Sequence, residues 1–476
     1  MLITANTPPS LKTGVKEGAD TASRIFFMPL SLLYLSGALA PHFEVKVLDL
    51  NALKLWRQPA EKMDELVEAA VAKELDEARP FLVGVNCQFS AQIGQTIKIA
   101  DLVKKHRPES AVATGGLHPT IFHDDILRNC PSIDFVLKAE GEESIVQLAR
   151  AVKNGTGFDQ VDGLTWRGPD GRIVDQPKNC YIEDPDTIPR PAYQLFDFND
   201  YQLDTSGWHN PKGQEIGVSP PILTSRSCPN RCNFCVMFRV MGSRFRPRSA
   251  GHVLDEIEFL HREYGSRYFN IMDDNFTLSK KRTLEICRGI IDRKLDIQLR
   301  AAGGLSLNAL DDETIDALAE AGLIWAPIAI ESGSDYIRNQ VMGKRLKRER
   351  IFDIVKSFRR YPQILLVALF IMGMPEDTEE TLMETYRLIE ELDIDDANIA
   401  TATPFPGTAL FEQCRKENLL INYDGGWNKW NLFSSQKDGD FFIQPRNMSL
   451  DSLARFEKEF RDLRVRKMSP AFRSLR

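Results

Sequence analysis

From Ile222 to Ala402 the chain alternates short apolar runs with amphipathic stretches six times, a rhythm that only a parallel sheet covered by helices satisfies. The runs expected as strands are Ile222–Ser225, Arg267–Met272, Ile297–Ala301, Ile324–Ile330, Ile364–Ile371 and Ala397–Ala402. Helices are expected at His252–Tyr264, Lys281–Arg293, Asp312–Ala321, Glu349–Arg359 and Thr378–Leu392. Six units are fewer than the eight of a closed barrel, so a partial one is expected.

The first 150 or so residues carry a second alternation, with strands at Leu2–Asn6, Glu44–Leu50, Phe81–Asn86, Ala111–Thr114 and Asp134–Leu137. Helices Glu61–Ala78 and Gln92–Lys105 fall between them, which gives a doubly wound domain. The runs VDGLTWR and RIVDQPK flank a Gly-Pro-Asp-Gly turn and read as a hairpin. A proline-dotted connector follows from Pro185 to Pro221. The expected division is therefore 1–155, a doubly wound domain; 156–220, hairpin and connector; 221–415, a partial barrel; and 416–476, a small C-terminal region with a helix at Leu450–Val465.

A net charge of -7 without a sustained basic block argues against nucleic acid as a partner. Phe26–Ala40 is apolar but shorter than a membrane span, and Pro29, Ser31, Tyr34, Ser36 and Gly37 interrupt it, so it reads as a buried helix. Of 8 cysteines, three crowd into one loop, a pattern of a metal site in a reducing cytoplasm rather than of a disulfide framework. Cys87, Cys130, Cys180, Cys287 and Cys414 are scattered singly and read as small core or boundary residues.

That loop, Thr-Ser-Arg-Ser-Cys-Pro-Asn-Arg-Cys-Asn-Phe-Cys, directly follows the first strand of the second domain and sets Cys228, Cys232 and Cys235 in a C-x3-C-x2-C array. Three thiolates can hold three irons of a cubane and leave the fourth open for a reacting ligand. A structural zinc site is the alternative, but it typically takes four ligands in two pairs, and no second C-x2-C occurs in the chain.

The loop resembles the signature of the radical S-adenosylmethionine superfamily, and further matches follow in order along the strands. The resemblance implies a [4Fe-4S] cluster on the three cysteines and S-adenosylmethionine contacts at Phe234, Asp273, Asp274, Asn275, Arg300, Glu331, Ser332, Met372 and Gly373. Pro-Phe-Pro-Gly-Thr after the sixth strand belongs to the same series. For any one of these acidic residues helix capping is the plain alternative, for Glu376 and Asp377 above all.

The first domain resembles the cobalamin-binding domain fused to one branch of that superfamily. Its carriers are Thr-Pro-Pro after the first strand, Gly115-Gly116-Leu117-His118-Pro119-Thr120 after the fourth, and Ala139-Glu140-Gly141-Glu142-Glu143 after the fifth. Implied cobalamin contacts are Pro8, Pro9, Asn86, Ser90, Gly115, Gly116, His118, Thr120, Glu140, Gly141 and Glu142. The Asp-x-His-x-x-Gly string that supplies a cobalt ligand elsewhere is absent; Asp49-Leu50-Asn51 comes nearest and lacks the histidine. His118 is expected to pack rather than to ligate cobalt.

Together these resemblances imply a methyltransferase in which one S-adenosylmethionine methylates cobalamin and another yields a 5′-deoxyadenosyl radical. The implied partners are a small-molecule or lipid-like substrate and an electron donor such as flavodoxin or ferredoxin, with no integral membrane segment. Alternatives are a cobalamin-dependent radical cyclase or rearrangement enzyme, and a non-catalytic cobalamin sensor. Tyr193, Trp208, Trp427 and Trp430 are candidates to line a substrate cleft, as are Arg244, Arg246 and Arg248 to meet an anion; core packing and a solvated loop are the respective alternatives.

Overall fold

The computed structural model describes residues 1–5, 28–55, 58–201, 209–215, 217–422 and 441–475. Pro8, Pro9, Trp208, Trp427 and Trp430 lie outside them. Two compact units are present, one of Met1–Tyr201 with Arg239–Gly242, the other built from the rest of the second half.

In the first unit the described elements are β1 (Leu2–Thr4), α1 (Leu30–Leu39), β2 (Val47–Asp49), α2 (Met63–Ala78), β3 (Leu82–Asn86), α3 (Ile93–His106), β4 (Ala111–Gly115), α4 (Leu117–Asn129), β5 (Phe135–Leu137), α5 (Glu142–Asn154), β6 (Leu164–Arg167) and β7 (Ile173–Asp175). Strand order is β2-β1-β3-β4-β5-β6-β7. The first five strands are parallel and follow the doubly wound 2-1-3-4-5 order, whose switch point lies between β1 and β3. Val83, Val85, Val112 and Val136 from the sheet pack with Val71, Leu75, Ile99 and Val103 from α2 and α3 in one buried core.

The hairpin expected with the connector instead extends this sheet, β6 pairing antiparallel to β5. The connector stretch from Pro185 to Tyr201 also belongs to this unit, where the Tyr201 hydroxyl donates to Asp49 at 2.7 Å. Phe26 and Phe27 lie outside the described residues, and α1 is the buried helix expected from that segment. No helix among the described residues is long and apolar enough to cross a membrane.

In the second unit β8 (Pro221–Ile222), β11 (Tyr268–Ile271), β12 (Gln298–Ala301), β13 (Leu323–Glu331), β14 (Leu365–Met372) and β15 (Asp396–Thr401) form an all-parallel six-stranded sheet in the order β15-β14-β13-β12-β11-β8. A two-stranded ribbon, β9 (Ser225–Arg226) and β10 (Arg246–Pro247), intervenes; α6 (Met237–Met241), whose residues from Arg239 on belong to the first unit, lies between its strands in the sequence. The covering helices are α7 (Ala250–Tyr264), α8 (Lys280–Asp292), α9 (Asp312–Glu320), α10 (Arg348–Phe358) and α11 (Glu379–Glu391), followed by α12 (Ala409–Lys416), α13 (Leu450–Lys467) and α14 (Pro470–Arg473). Several start where a side-chain oxygen takes a free N–H of the first turn: Ser249 from His252, Asp311 from Thr314, Thr378 from Thr381 and Ser449 from Ser452.

Because alternate strand residues face opposite ways, one face of this sheet is covered by helices and the other is half-open. Trp325, Ala329, Leu369 and Ile371 keep partial exposure on strands whose other residues are mostly buried, and Met272, just past β11, is exposed. Met468 and Phe472 pack on Leu365 and Val367 and, with Trp325, cover the amino-terminal end of β13 and β14. The opposite, carboxyl ends are the ones that carry the sequence motifs.

Candidate active site

The cluster loop is fixed at its root before its cysteines appear. Thr224 donates to Asp273 through its N–H and its hydroxyl, and Ser225 donates through its hydroxyl. Arg282 donates to the carbonyls of Thr224 and Arg248. Asp273 is 1% exposed, and burial, opposed by Arg282 and these donors, raises its pKa. Asp273, expected as a ligand contact, has its carboxylate engaged by these donors in anchoring the loop. Gly303 has a matching reason to be glycine, since an ideal Cβ there would lie 2.1 Å from the Asp273 carbonyl oxygen.

One residue on, Asp274 accepts the N–H of Ser227, which adopts a left-handed φ of 68° immediately before Cys228. Burial, with Asp273 adding repulsion, pushes Asp274 up to about 6. Asn275 Nδ2 lies 3.7 Å from Cys228 Sγ, and its Oδ1, on a residue only 2% exposed, has no hydrogen-bond partner among the described residues. A buried acceptor left open beside a thiol loop fits a donor group of a bound ligand.

Cys228, Cys232 and Cys235 are all half-buried. Burial pushes the Cys235 thiol up to about 11 and also raises that of Cys232, so these two thiols stay protonated near neutrality and would give up their protons to a metal. Among the described residues no three His, Cys, Asp or Glu side chains converge on one ion. A cubane makes no such demand, because each thiolate takes a different iron, and the donor set fits that group.

Glu331 ends β13 in the left-handed region, at φ 73°, where the register with β14 slips between Ala329 and Glu331. Lys344 Nζ, which the sequence did not single out, reaches its Oε1 at 2.9 Å. Burial works against the Lys344 charge, but Glu331, joined by Cys232 and Cys228 in their thiolate form, outweighs it and raises the pKa. Arg338, fully buried, ties this corner by donating to the carbonyls of Ser332, Gly333 and Leu346 and to Asp335. It lies in the π-helical turn Tyr336–Val341, a local feature with no sequence signal.

The surroundings of five further expected contacts are as follows. The Ser332 hydroxyl accepts from Ser334 N–H and lies 3.3 Å from Thr385 Oγ1, inside the fold. Phe234 packs against the core cluster that contains Met342, Met374 and Leu410. Gly373 and Met374 give their N–H groups to Asp377, whose carboxyl burial pushes up to about 6, while Met372 is 2% exposed. Arg300 pairs in register with Asn270 and Trp325, three residues before Asp273 and six before Glu331, or ~20 Å along the strand from the latter. Its guanidinium stacks over Trp325 at 4.5 Å, well below the carboxyl ends.

In the first unit Asn86, Ser90, Gly115, Gly116, His118, Thr120, Glu140, Gly141 and Glu142 gather at or just beyond the carboxyl ends of β3, β4 and β5. Much of their chemistry is internal. Gly116 has φ 125°, and an ideal Cβ would lie 2.4 Å from the Cys87 carbonyl oxygen, so close backbone crossing already requires glycine. Thr120 Oγ1 donates to Gly116 O and accepts from Ala139 N–H, and Glu140 accepts from Ile182 N–H. His118, 1% exposed, has Nδ1 2.8 Å from Ser90 Oγ and its ring 4.6 Å from Phe122.

Burial pushes His118 down to about 3, so the folded state holds it neutral. Its contribution is complete above the ordinary histidine value of about 6.5 and declines as pH falls towards 3, reaching a loss of about 2 kcal/mol by pH 5. Denaturant unfolding followed from pH 7 to pH 5 should show that slope in the parent and a shallower one in His118→Gln; equal slopes would remove His118 from the account. The same burial predicts cob(II)alamin spectra without nitrogen splitting from labelled protein histidine, checked by electron paramagnetic resonance.

Two family profiles match the chain, the radical SAM superfamily over residues 222–389 and the B12 binding domain over residues 24–149. An uncharacterised methyltransferase of Pyrococcus horikoshii is 31% identical over 422 residues, spanning 89% of this chain and 84% of its own. The chain belongs to the cobalamin-binding radical S-adenosylmethionine family. It is an enzyme of methyltransferase type whose cofactors are a [4Fe-4S] cluster, S-adenosylmethionine and cobalamin. Cytidylyl-2-hydroxyethylphosphonate methyltransferase of Streptomyces wedmorensis is 28% identical over 430 residues, covering 82% of this chain and 78% of that one. The fold matches that of TsrM, a radical S-adenosylmethionine methyltransferase from Kitasatospora setae, with a TM-score of 0.73 at 19% identity over 99% of this chain and 89% of that one.

Proposed function

We propose that this enzyme methylates an unactivated carbon of a small-molecule or lipid-like substrate, in a reducing cytoplasm, with electrons from a flavodoxin or ferredoxin. The observation that carries the reading is the three-thiol loop beside the open Asn275 acceptor, on the same chain as a cobalamin-binding domain. When bound, the cluster supplies an electron that cleaves S-adenosylmethionine to methionine and a 5′-deoxyadenosyl radical, and cobalamin supplies methyl-carrying chemistry.

Within that scheme Cys228, Cys232 and Cys235 hold the cluster. Asn275 Oδ1 accepts from the ammonium of S-adenosylmethionine, and Glu331, oriented by Lys344, accepts from its hydroxyl groups. Met272, Ala329, Leu369 and Ile371 offer an apolar, half-exposed surface that orients an apolar substrate and excludes water. The carboxyl ends of β1, β3, β4 and β5 receive cobalamin. Asp273 and Arg338 touch no reactant and set the loops that do.

A cyclase reading draws on anaerobic magnesium-protoporphyrin IX monomethyl ester cyclase of Rubrivivax gelatinosus, 25% identical over 86% of this chain. One experiment separates the two. Anaerobically reconstituted enzyme is given methyl-labelled S-adenosylmethionine and a cell extract: a metabolite that gains the labelled methyl supports methylation. Turnover of a metabolite without mass gain contradicts it.

A further inference from the structure

Among the described residues, three cations at or near the cluster loop are in no ion pair. Arg231, between Cys228 and Cys232, is exposed, and its guanidinium lies 5.8 Å over the Phe238 ring. Pro229 and Asn230 beside it are exposed as well. A second segment runs against the same loop: Asn233 N–H points to Met342 O at 3.4 Å, and an ideal Cβ on Gly343 would lie 3.8 Å from Arg231 O. From there Lys344 turns inward to Glu331, whereas Arg345 and Lys347 are exposed and in no ion pair among the described residues.

The contrast with neighbouring basic groups is informative. Arg348 pairs with Glu391, Arg360 with Asp312 and Asp316, and Arg359 with Asp395. Lys347 also occupies the N-cap of α10 without a side-chain cap bond, where a cation opposes the helix dipole and a Ser or Asp would serve the helix better. A local rule broken at a stability cost points to a task elsewhere. In a chain of net charge -7, this patch is a local reversal of sign.

We propose that Arg231, Arg345 and Lys347 form the docking surface for a small, acidic one-electron carrier protein of the flavodoxin kind. The proposal rests on the radical reading above and adds the place of electron entry. Electron transfer weakens exponentially with distance, so a carrier must come close to the cysteine loop, and the exposed Pro229–Arg231 turn is the loop's outer surface. One electron leaves the carrier, which is oxidised by one unit, and would reduce the cluster by one; passed on to S-adenosylmethionine, it would join one electron of the breaking carbon–sulfur bond as a lone pair on the methionine sulfur, and the 5′ carbon would keep the other. Cations facing an acidic partner speed encounter and fix orientation, and salt weakens both effects.

The test uses reconstituted holoenzyme, parental and Arg345→Glu/Lys347→Glu, with a bacterial flavodoxin as probe. Calorimetric affinity is measured at low and high salt. The parent should lose affinity about tenfold or more as salt rises, and the variant should start about tenfold weaker and respond little to salt. Iron content, and 5′-deoxyadenosine formed with titanium(III) citrate in place of the carrier, should stay at parental levels. A variant that binds flavodoxin and is reduced by it like the parent would overturn the proposal. If titanium(III) citrate yields no 5′-deoxyadenosine even from the parent while flavodoxin affinity follows the charges, the radical reading fails and the docking surface stands.

Discussion

Replacing Cys228, Cys232 and Cys235 together with alanine is expected to reduce iron and sulfide from about four per chain to background and to abolish S-adenosylmethionine cleavage. Each thiolate would be the sole protein ligand to one iron, so a single Cys→Ala change should already leave an unstable cluster. Removing the half-buried thiols costs the apo fold little, since no disulfide joins them. Cys87, Cys287 and Cys414 are buried in apolar surroundings that push their thiols up to about 12, which marks them as packing residues. A Cys414→Ala control should therefore keep its iron while losing some stability. Full iron in the triple variant, by chemical analysis, would contradict the assignment.

Glu331→Gln is expected to keep both the cluster and the fold while 5′-deoxyadenosine formation falls. A hydrogen bond to a charged group contributes about 1.5–3 kcal/mol, so the loss should be about tenfold to a hundredfold. Glutamine preserves shape and can still accept from Lys344 Nζ, which is why the fold should tolerate the change. The left-handed φ at Glu331 and the register slip before it cost energy at a site where an ordinary strand end would serve packing alone. Thermal unfolding read beside product formation decides the matter. Lower thermal stability with parental cleavage would make Glu331 a structural partner of Lys344 and nothing more.

Most of the architecture could be read from periodicity, because each parallel strand is a buried apolar run and each covering helix keeps a polar face. The expected ends of β11, β13, β14 and β15 fall within two residues of those observed. The hairpin was legible as local structure, but its pairing partner was not: nothing in Leu164–Arg167 states that it continues the sheet at β5. Spacing alone placed the cysteines on one loop. Side-chain roles were less accessible, since a carboxylate at a strand end has the same sequence signal whether it meets a ligand or a backbone. Asp273 meets Thr224 and Ser225, while Asn275, two residues later, keeps an acceptor open.

Arg300 illustrates the cost of equating the end of an apolar run with the end of the barrel. Its strand pairs low on β13, and the chain then climbs through Gly303 and Gly304 before Leu305 bridges Ile328. Lys344 and Arg338 lay beyond reach for a different reason. Each acts through a loop folded back onto the Glu331 corner, and only tertiary structure brings those atoms together.

The account stands on one chain performing both reductive cleavage and methyl transfer. The direct measurement is the parallel quantification of 5′-deoxyadenosine and S-adenosylhomocysteine from anaerobic holoenzyme loaded with cobalamin, in the presence of reductant and an extract that contains the substrate. The account predicts that both products rise together with a methylated metabolite, and that the triple cysteine variant loses 5′-deoxyadenosine. Formation of 5′-deoxyadenosine with no S-adenosylhomocysteine and no methylated product would contradict it.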